Sequence, residues 1–214
     1  MSFLNRKQLR TSLGLLFRQG TYDPGAVDRA AYNLRLGKDV FRSSSDIPQT
    51  LTLKDPYVTI RSGDYVLLTT AEYVTMPLNM LGLITLRYRF KKVGLLNVSG
   101  FHVDPGFEGN LVFSVFNVGT NDVVLRFQDK MFMLFVTKLE EANDPADEDK
   151  HEHDKQERFS LEDVIAIKGR SSSLVQMESR LGSIESSVTI YGTIVIGALL
   201  VLFALVIGLV LQRH

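Results

Sequence analysis

The chain of 214 residues contains no cysteine. Disulfide frameworks, Cys-ligated zinc, iron–sulfur clusters and thiol nucleophiles are therefore excluded. It also lacks a prevailing charge, because 24 Lys and Arg balance 24 Asp and Glu. A protein that coats nucleic acid needs a basic excess, so no nucleic-acid partner is expected. Four histidines offer little material for a histidine-rich metal centre. No Gly-rich P-loop and no Ser/His/Asp set recognisable by spacing occurs. Long apolar runs are missing at the beginning: in Met1–Gly20 the longest, Leu13–Phe17, is too short for a signal-peptide core. Leu9, Leu13 and Leu16 instead predict an amphipathic helix starting near Asn5.

One long apolar run is present, Val188 to Leu211, 24 residues without a charge or a proline. As a helix it would reach ~36 Å at the standard rise, enough for a ~30 Å hydrocarbon core with some tilt. A helix satisfies its own backbone groups, as lipid requires. Tyr191 suits an interface and Arg213 can snorkel beyond the end. The expectation is a single-pass C-terminal membrane anchor with the preceding domain in the cytoplasm, and a lipid bilayer as partner. Lys168, Arg170 and Arg180 before the run agree with that orientation.

Between the ends, residues 31–140 are rich in Val, Leu, Phe, Thr and Tyr in short runs divided by Gly, Pro, Asn and Asp. Tyr57–Ile60, Tyr65–Thr69, Leu111–Phe116, Val123–Phe127 and Met131–Val136 predict strands, and Pro105-Gly106 and residues 119–122 predict turns. The fold class is mainly β, a sandwich or barrel. Residues 1–30 form its entry segment. Residues 141–159 are acidic and read as a solvated linker, in which His151 and His153 are either part of a plain polar tether or a metal or pH-sensing element. Residues 160–187 read as a helical stalk. Ser160 and Asp163 suggest a cap, and Leu174, Met177, Leu181, Ile184 and Val188 follow the 3,4 spacing of a coiled coil or of a helix lying on a surface. Residues 188–211 are the expected transmembrane helix.

Several stretches occur in an order that carries a resemblance. They are Ala31-Tyr32-Asn33-Leu34-Arg35-Leu36-Gly37, the Ser62–Pro77 stretch with Thr69-Thr70-Ala71-Glu72, Val93-Gly94-Leu95, His102-Val103-Asp104-Pro105-Gly106-Phe107-Glu108-Gly109, and Asn117-Val118-Gly119. Together they resemble the dCTP deaminase/dUTPase superfamily over roughly residues 4–140. The resemblance implies a dUTPase-like β-clip barrel that assembles as a homotrimer with sites between subunits.

It also implies specific residues. The family holds a triphosphate with an R-S-S-L-A-R segment, which here reads Arg87-Tyr88-Arg89-Phe90-Lys91-Lys92. Arg87 is retained, Lys92 replaces the second arginine, and Arg89 adds charge where a serine stood. Charge-assisted donors of this kind suit phosphate oxygens. The same alternation fits a strand with a solvated basic face. The family's base is a glutamate three residues before the N-x-G asparagine, and Ser114 occupies that place. A serine hydroxyl without assistance does not accept a proton at neutral pH. Asp104 matches the aspartate that orients water and sugar in dUTPases, although Asp-Pro-Gly also favours a turn for its own reasons. No cofactor is expected apart from Mg accompanying a nucleoside triphosphate. The resulting expectation is a membrane-anchored, catalytically impaired family member that binds a nucleotide or other phosphate-bearing ligand. The alternatives are an active tethered deaminase or dUTP pyrophosphatase, and a structural trimer.

Overall fold

The computed structural model describes residues 2–142, 155–168, 184 and 188–199. The chain divides into two compact units, Met1–Ser172 and Ser173–His214. In the first unit the elements run β1 (Ser2–Phe3), α1 (Arg6–Thr11), α2 (Leu13–Leu16), β2 (Val27–Asp28), β3 (Ala31–Arg42), β4 (Gln49–Thr50) and β5 (Tyr57–Ile60). They continue as β6 (Tyr65–Thr75), β7 (Met80–Leu86), α3 (Tyr88–Lys91), β8 (Leu95–Asn97) and β9 (His102–Val103). Last come β10 (Glu108–Asn117), β11 (Val123–Arg126), β12 (Lys130–Lys138) and α4 (Leu161–Lys168).

The expected opening helix forms, broken in two at Ser12. Asn5 caps it by accepting from the N–H groups of Lys7 and Gln8, while the Gln8 side chain accepts from the Asn5 N–H, a reciprocal capping box. Leu9, Leu13 and Leu16 are all buried, so the 3,4 spacing delivers one apolar face to the core. The strands build a curled antiparallel sheet in the order β8-β10-β6-β3-β12-β7-β9, with β5 and β11 as a separate hairpin-like pair. Along β10 the burial alternates residue by residue, which sends Leu111, Phe113 and Val115 inward and Asn110, Val112, Ser114 and Phe116 outward. Phe113 stacks on Phe132 of β12 at 3.7 Å across the core.

The segment after β12 corrects an expectation. The stretch expected to be a solvated linker ends on the domain itself. Gln156 bridges to Gly109, with the Lys155 N–H donating to the Glu108 carbonyl at 2.6 Å and the Asn110 N–H donating to the Gln156 carbonyl at 2.8 Å. Gly109 has φ +155°, and a Cβ there would sit 2.9 Å from the Gln156 oxygen, so only glycine permits this approach. The expected stalk also begins on the domain. In α4, Val164 and Ile167, together with Phe159, cover an outer apolar patch made by Phe41, Tyr65, Leu67 and Val112. The physical reason is composition: the dense acidic run gives way after Asp154 to a mixed segment in which Phe159, Val164 and Ile167 supply apolar surface that water would otherwise solvate. The Ser160–Asp163 cap forms as expected, with the Asp163 N–H donating to Ser160 Oγ and the Ser160 N–H donating to Asp163 Oδ2.

In the second unit residues 188–199 are helical and exposed. Among the described residues no helix is long and apolar enough to cross a membrane. The rest of the expected 188–211 span lies outside the described residues, as do His151, His153 and the seam positions Leu174, Met177 and Leu181.

Candidate functional site

The basic segment after β7 is not a strand, which corrects the solvated-strand reading of Arg87–Lys92. Arg87 is extended and its N–H donates to the Met131 carbonyl, after which Tyr88–Lys91 forms a helical turn with Phe90 pointing into the core. One buried residue in a four-residue turn leaves the neighbouring cations outside. Arg89 is engaged: its guanidinium lies 3.4 Å from Asp129, donates to the Lys130 carbonyl and stands over the Phe90 ring. Lys91 donates to Thr85 Oγ1 at 2.7 Å. The side chains of Arg87 and Lys92 make no hydrogen bond or ion pair with any described residue. Lys92 borders an open cavity of about 710 Å³ together with Gly94, Gly119, Asn121 and Asp122. Arg87, Arg89 and Asp104 do not line it.

Asp104 sits at the mouth of the β9–β10 turn, half-exposed, with one carboxylate oxygen 3.3 Å from His102 Nε2. Gly106 at φ +82° supports the turn reading of Asp-Pro-Gly. The carboxylate nevertheless remains accessible beside an imidazole. Ser114 faces outward from β10 opposite Leu67, and its carbonyl accepts the Val98 N–H at 2.9 Å. On the same face Val112, two residues earlier, lies against the Phe159–Ile167 covering. Within one chain no described hydrogen bond or ion pair joins Asp104 or Ser114 to the Arg87–Lys92 segment. The structure thus places the expected site residues on three separate elements, with no described hydrogen bond or ion pair between those elements' site side chains. Among the described residues no group of three or more carboxylate or imidazole side chains converges as a metal site.

Two features escaped the sequence reading. The first is a buried charge network. Arg35 donates from Nε to Glu72 Oε1 at 2.6 Å and from its N–H to Oε2 at 2.9 Å, and Tyr32 donates its hydroxyl to Oε1 at 3.2 Å. Burial holds the Glu72 carboxyl above its ordinary value, against the pull of the Arg35 bonds. Burial, reinforced by the Glu72 charge, likewise raises the Tyr32 hydroxyl. The Leu-Arg-Leu-Gly and Thr-Thr-Ala-Glu motifs contain both partners, but nothing in their spacing pairs them. The second is a cavity of about 380 Å³ between β3, β6 and Glu157 of the docked segment, with Arg18, Arg35, Lys38, Asp39 and Tyr73 also among its walls.

Residues 4–139 match the dCTP deaminase-like family. Related sequences include a dCTP deaminase of Pyrococcus abyssi, 29% identical over 115 residues that cover 54% of this chain and 72% of that one. Another is a dCTP deaminase of Pyrobaculum calidifontis, 38% identical over 141 residues, covering 60% and 79%. Among solved structures, the 2′-deoxycytidine 5′-triphosphate deaminase of Agrobacterium tumefaciens superposes with a TM-score of 0.53 at 14% identity, over 63% of this chain and 47% of that one. That likeness supports the fold alone. The chain belongs to the dCTP deaminase-like family, and its residues after 139 lie beyond the family match.

Proposed function

We propose that this protein is a membrane-anchored dCTP deaminase-like domain that has lost deamination and binds a nucleotide or other phosphate-bearing ligand. The observation that carries the reading is an asymmetry. Ser114 stands where the resemblance calls for the glutamate base, whereas Arg87 and Lys92 present cations without described partners on the segment matched to phosphate binding. Deamination needs a group that accepts a proton from water and passes one to the leaving ammonia, and Ser114 supplies none. Phosphate binding needs only charge and donors, which Arg87, Arg89 and Lys92 retain.

Asp104 pairs with His102 and has no described bond to these cations, and a neighbouring copy would complete the site. A homotrimer fits that need. The stretch from Tyr88 to Phe101 leaves Tyr88, Val93, Leu96, Val98 and Phe101 exposed, an apolar surface that association would cover. The anchor reading rests on the charge-free run at 188–211. Mg would accompany a triphosphate rather than reside in the protein.

The second reading is an active tethered deaminase or pyrophosphatase, favoured by the names of the sequence relatives and by the accessible His102–Asp104 pair. Thermal melting of the full-length chain with dCTP and dUTP, alongside ammonia and pyrophosphate release, separates the readings. The expected result is a rise in melting temperature that weakens in high salt and shrinks in Arg87→Ala and Lys92→Ala, without turnover. Robust release of ammonia or pyrophosphate would make it an enzyme. No stabilisation by either nucleotide would leave a structural trimer.

A further inference from the structure

The cavity beside β3 has the marks of a built site, and the proposed nucleotide-binding residues take no part in it. Two of the three register irregularities of the large sheet, those of β3 with β6 and of β6 with β10, lie along its wall. On β3, Leu36 pairs with Thr70 and Val40 with Leu68, so residues 37–39 stand opposite Thr69 alone. On β6, Tyr73 pairs with Asn110 and Thr69 with Val112, so residues 70–72 stand opposite Leu111 alone. On β12 one extra residue, Met131, lies between the partners of Arg35 and Leu34. Bulges re-aim side chains out of the alternating pattern and cost ladder hydrogen bonds, so two along one cavity need a local reason. Gly37 belongs to the first bulge, and a Cβ there would fall 2.5 Å from the Thr70 carbonyl oxygen. Gln128, also on the wall, holds φ +65°, a conformation that costs energy for a residue with a side chain.

The bulge delivers Lys38 and Asp39 to the cavity wall. Asp39 is buried, at 4% exposure, and its Oδ2 has no hydrogen bond among the described residues. Arg158 Nε approaches that oxygen at 3.5 Å as an ion pair without hydrogen-bond geometry. A buried carboxylate oxygen left without a donor is costly, and a ligand N–H or O–H would remove the cost. Around it are the cations. Lys38 makes no described side-chain contact, and Arg18 lies flat over the Tyr73 ring at 3.3 Å with Glu157 3.4 Å from its Nη1. The volume of about 380 Å³ suits a small metabolite.

We infer that this cavity binds a small organophosphate, its phosphate on Lys38 and Arg18 and a hydroxyl or amino group that displaces the exposed Arg158 side chain and donates to the otherwise covered Asp39 Oδ2. Sugar phosphates and nucleoside monophosphates share this chemistry. Because Glu157 lines the cavity, the ligand would also meet the docked segment that precedes α4.

The test is calorimetric titration of the full-length chain carrying Arg87→Ala and Lys92→Ala, so that the proposed nucleotide site is disabled. The probes are ribose 5-phosphate, dCMP and inorganic phosphate. At least one organophosphate should bind more tightly than inorganic phosphate. Binding to both places the Asp39 contact on sugar hydroxyls, and binding to dCMP alone places it on the base amine. Lys38→Ala, at an exposed side chain, should weaken binding about tenfold or more, as loss of a charge-assisted contact does. Asp39→Asn should weaken the organophosphate and leave inorganic phosphate unchanged, with the ligand-free melt confirming that the variant folds. The inference is overturned if neither organophosphate binds at millimolar concentration, if neither exceeds inorganic phosphate, or if Lys38→Ala changes affinity by less than about twofold.

Discussion

Replacing Arg35 by alanine tests how the β domain tolerates a buried charge. The Glu72 carboxylate is fully buried and the Arg35 side chain is 15% exposed, so water can replace little of what the substitution removes. Glu72 would keep the Tyr32 hydroxyl and the backbone N–H of residue 35, but lose the Nε–H bond and the only positive charge paired with it among the described residues. Arg35 also donates to the Thr21 carbonyl at 2.6 Å and to Gln128 Oε1 at 3.1 Å, ties between the entry segment, β3 and the turn before β12 that would be lost too. Breaking a buried pair by removing one partner costs about 3–5 kcal/mol. For a chain of this size each kcal/mol lowers the melting temperature by roughly 2–4 °C, so a fall of about 6–20 °C is expected.

The pH dependence gives the mechanism a signature. In Arg35→Ala the Glu72 carboxyl loses its largest opposing bond and its folded-state pKa rises further above the unfolded value. An acid whose folded pKa is raised destabilises the fold above that pKa. The penalty fades as pH falls from the raised folded value toward the unfolded value of about 4.3, and below that Glu72 is protonated in both states. Urea unfolding followed by circular dichroism at neutral and mildly acidic pH reads both quantities. The double variant Arg35→Met, Glu72→Leu should be less destabilised than Arg35→Ala alone, since no charge is left stranded. A neutral-pH penalty below about 1 kcal/mol, or one that does not shrink in acid, would refute the account of Glu72 as a stranded buried charge.

Gly109→Ala should release the docked segment, because a Cβ would meet the Gln156 oxygen at 2.9 Å in a backbone conformation that alanine adopts with strain; amide exchange at residues 155–158 should rise while β6 and β12 stay protected. A fragment ending at residue 158 should melt below one ending at residue 172, by an amount reflecting the ~1.5–3 kcal/mol that burial of each large apolar side chain contributes. Equal melting temperatures would show that Phe159, Val164 and Ile167 add nothing to the domain. Alkaline carbonate should leave the full-length chain in the membrane fraction and release a version lacking residues 188–214; release of the full-length chain would remove the anchor from the proposal.

What could be read ahead of the structure follows from how far each signal reaches along the chain. The opening helix was legible because Asn5, Gln8, Leu9, Leu13 and Leu16 interact within three or four positions, and the strands because alternation is local. Local alternation also misled. Arg87–Lys92 alternates like a strand, but Phe90 is the single residue the core accepts there, and a turn of helix buries it alone where a strand would turn Tyr88 and Lys92 to the same face. The acidic composition of 141–159 hid the docking of its last residues, since Gln156 is held by backbone bonds to Glu108 and Asn110 that no side-chain pattern announces. The Arg35–Glu72 pair and the β3 cavity were out of reach for the same reason. Both depend on which residues the sheet register sets face to face. The β3–β6 bulge shifts that register by counting extra residues on one strand only, and the bridges of Phe17 to Val74 and of Gln156 to Gly109 bring in Arg18 and Glu157. Lys38 and Asp39 thus share one cavity with them through pairings that are not written in the spacing of any one segment.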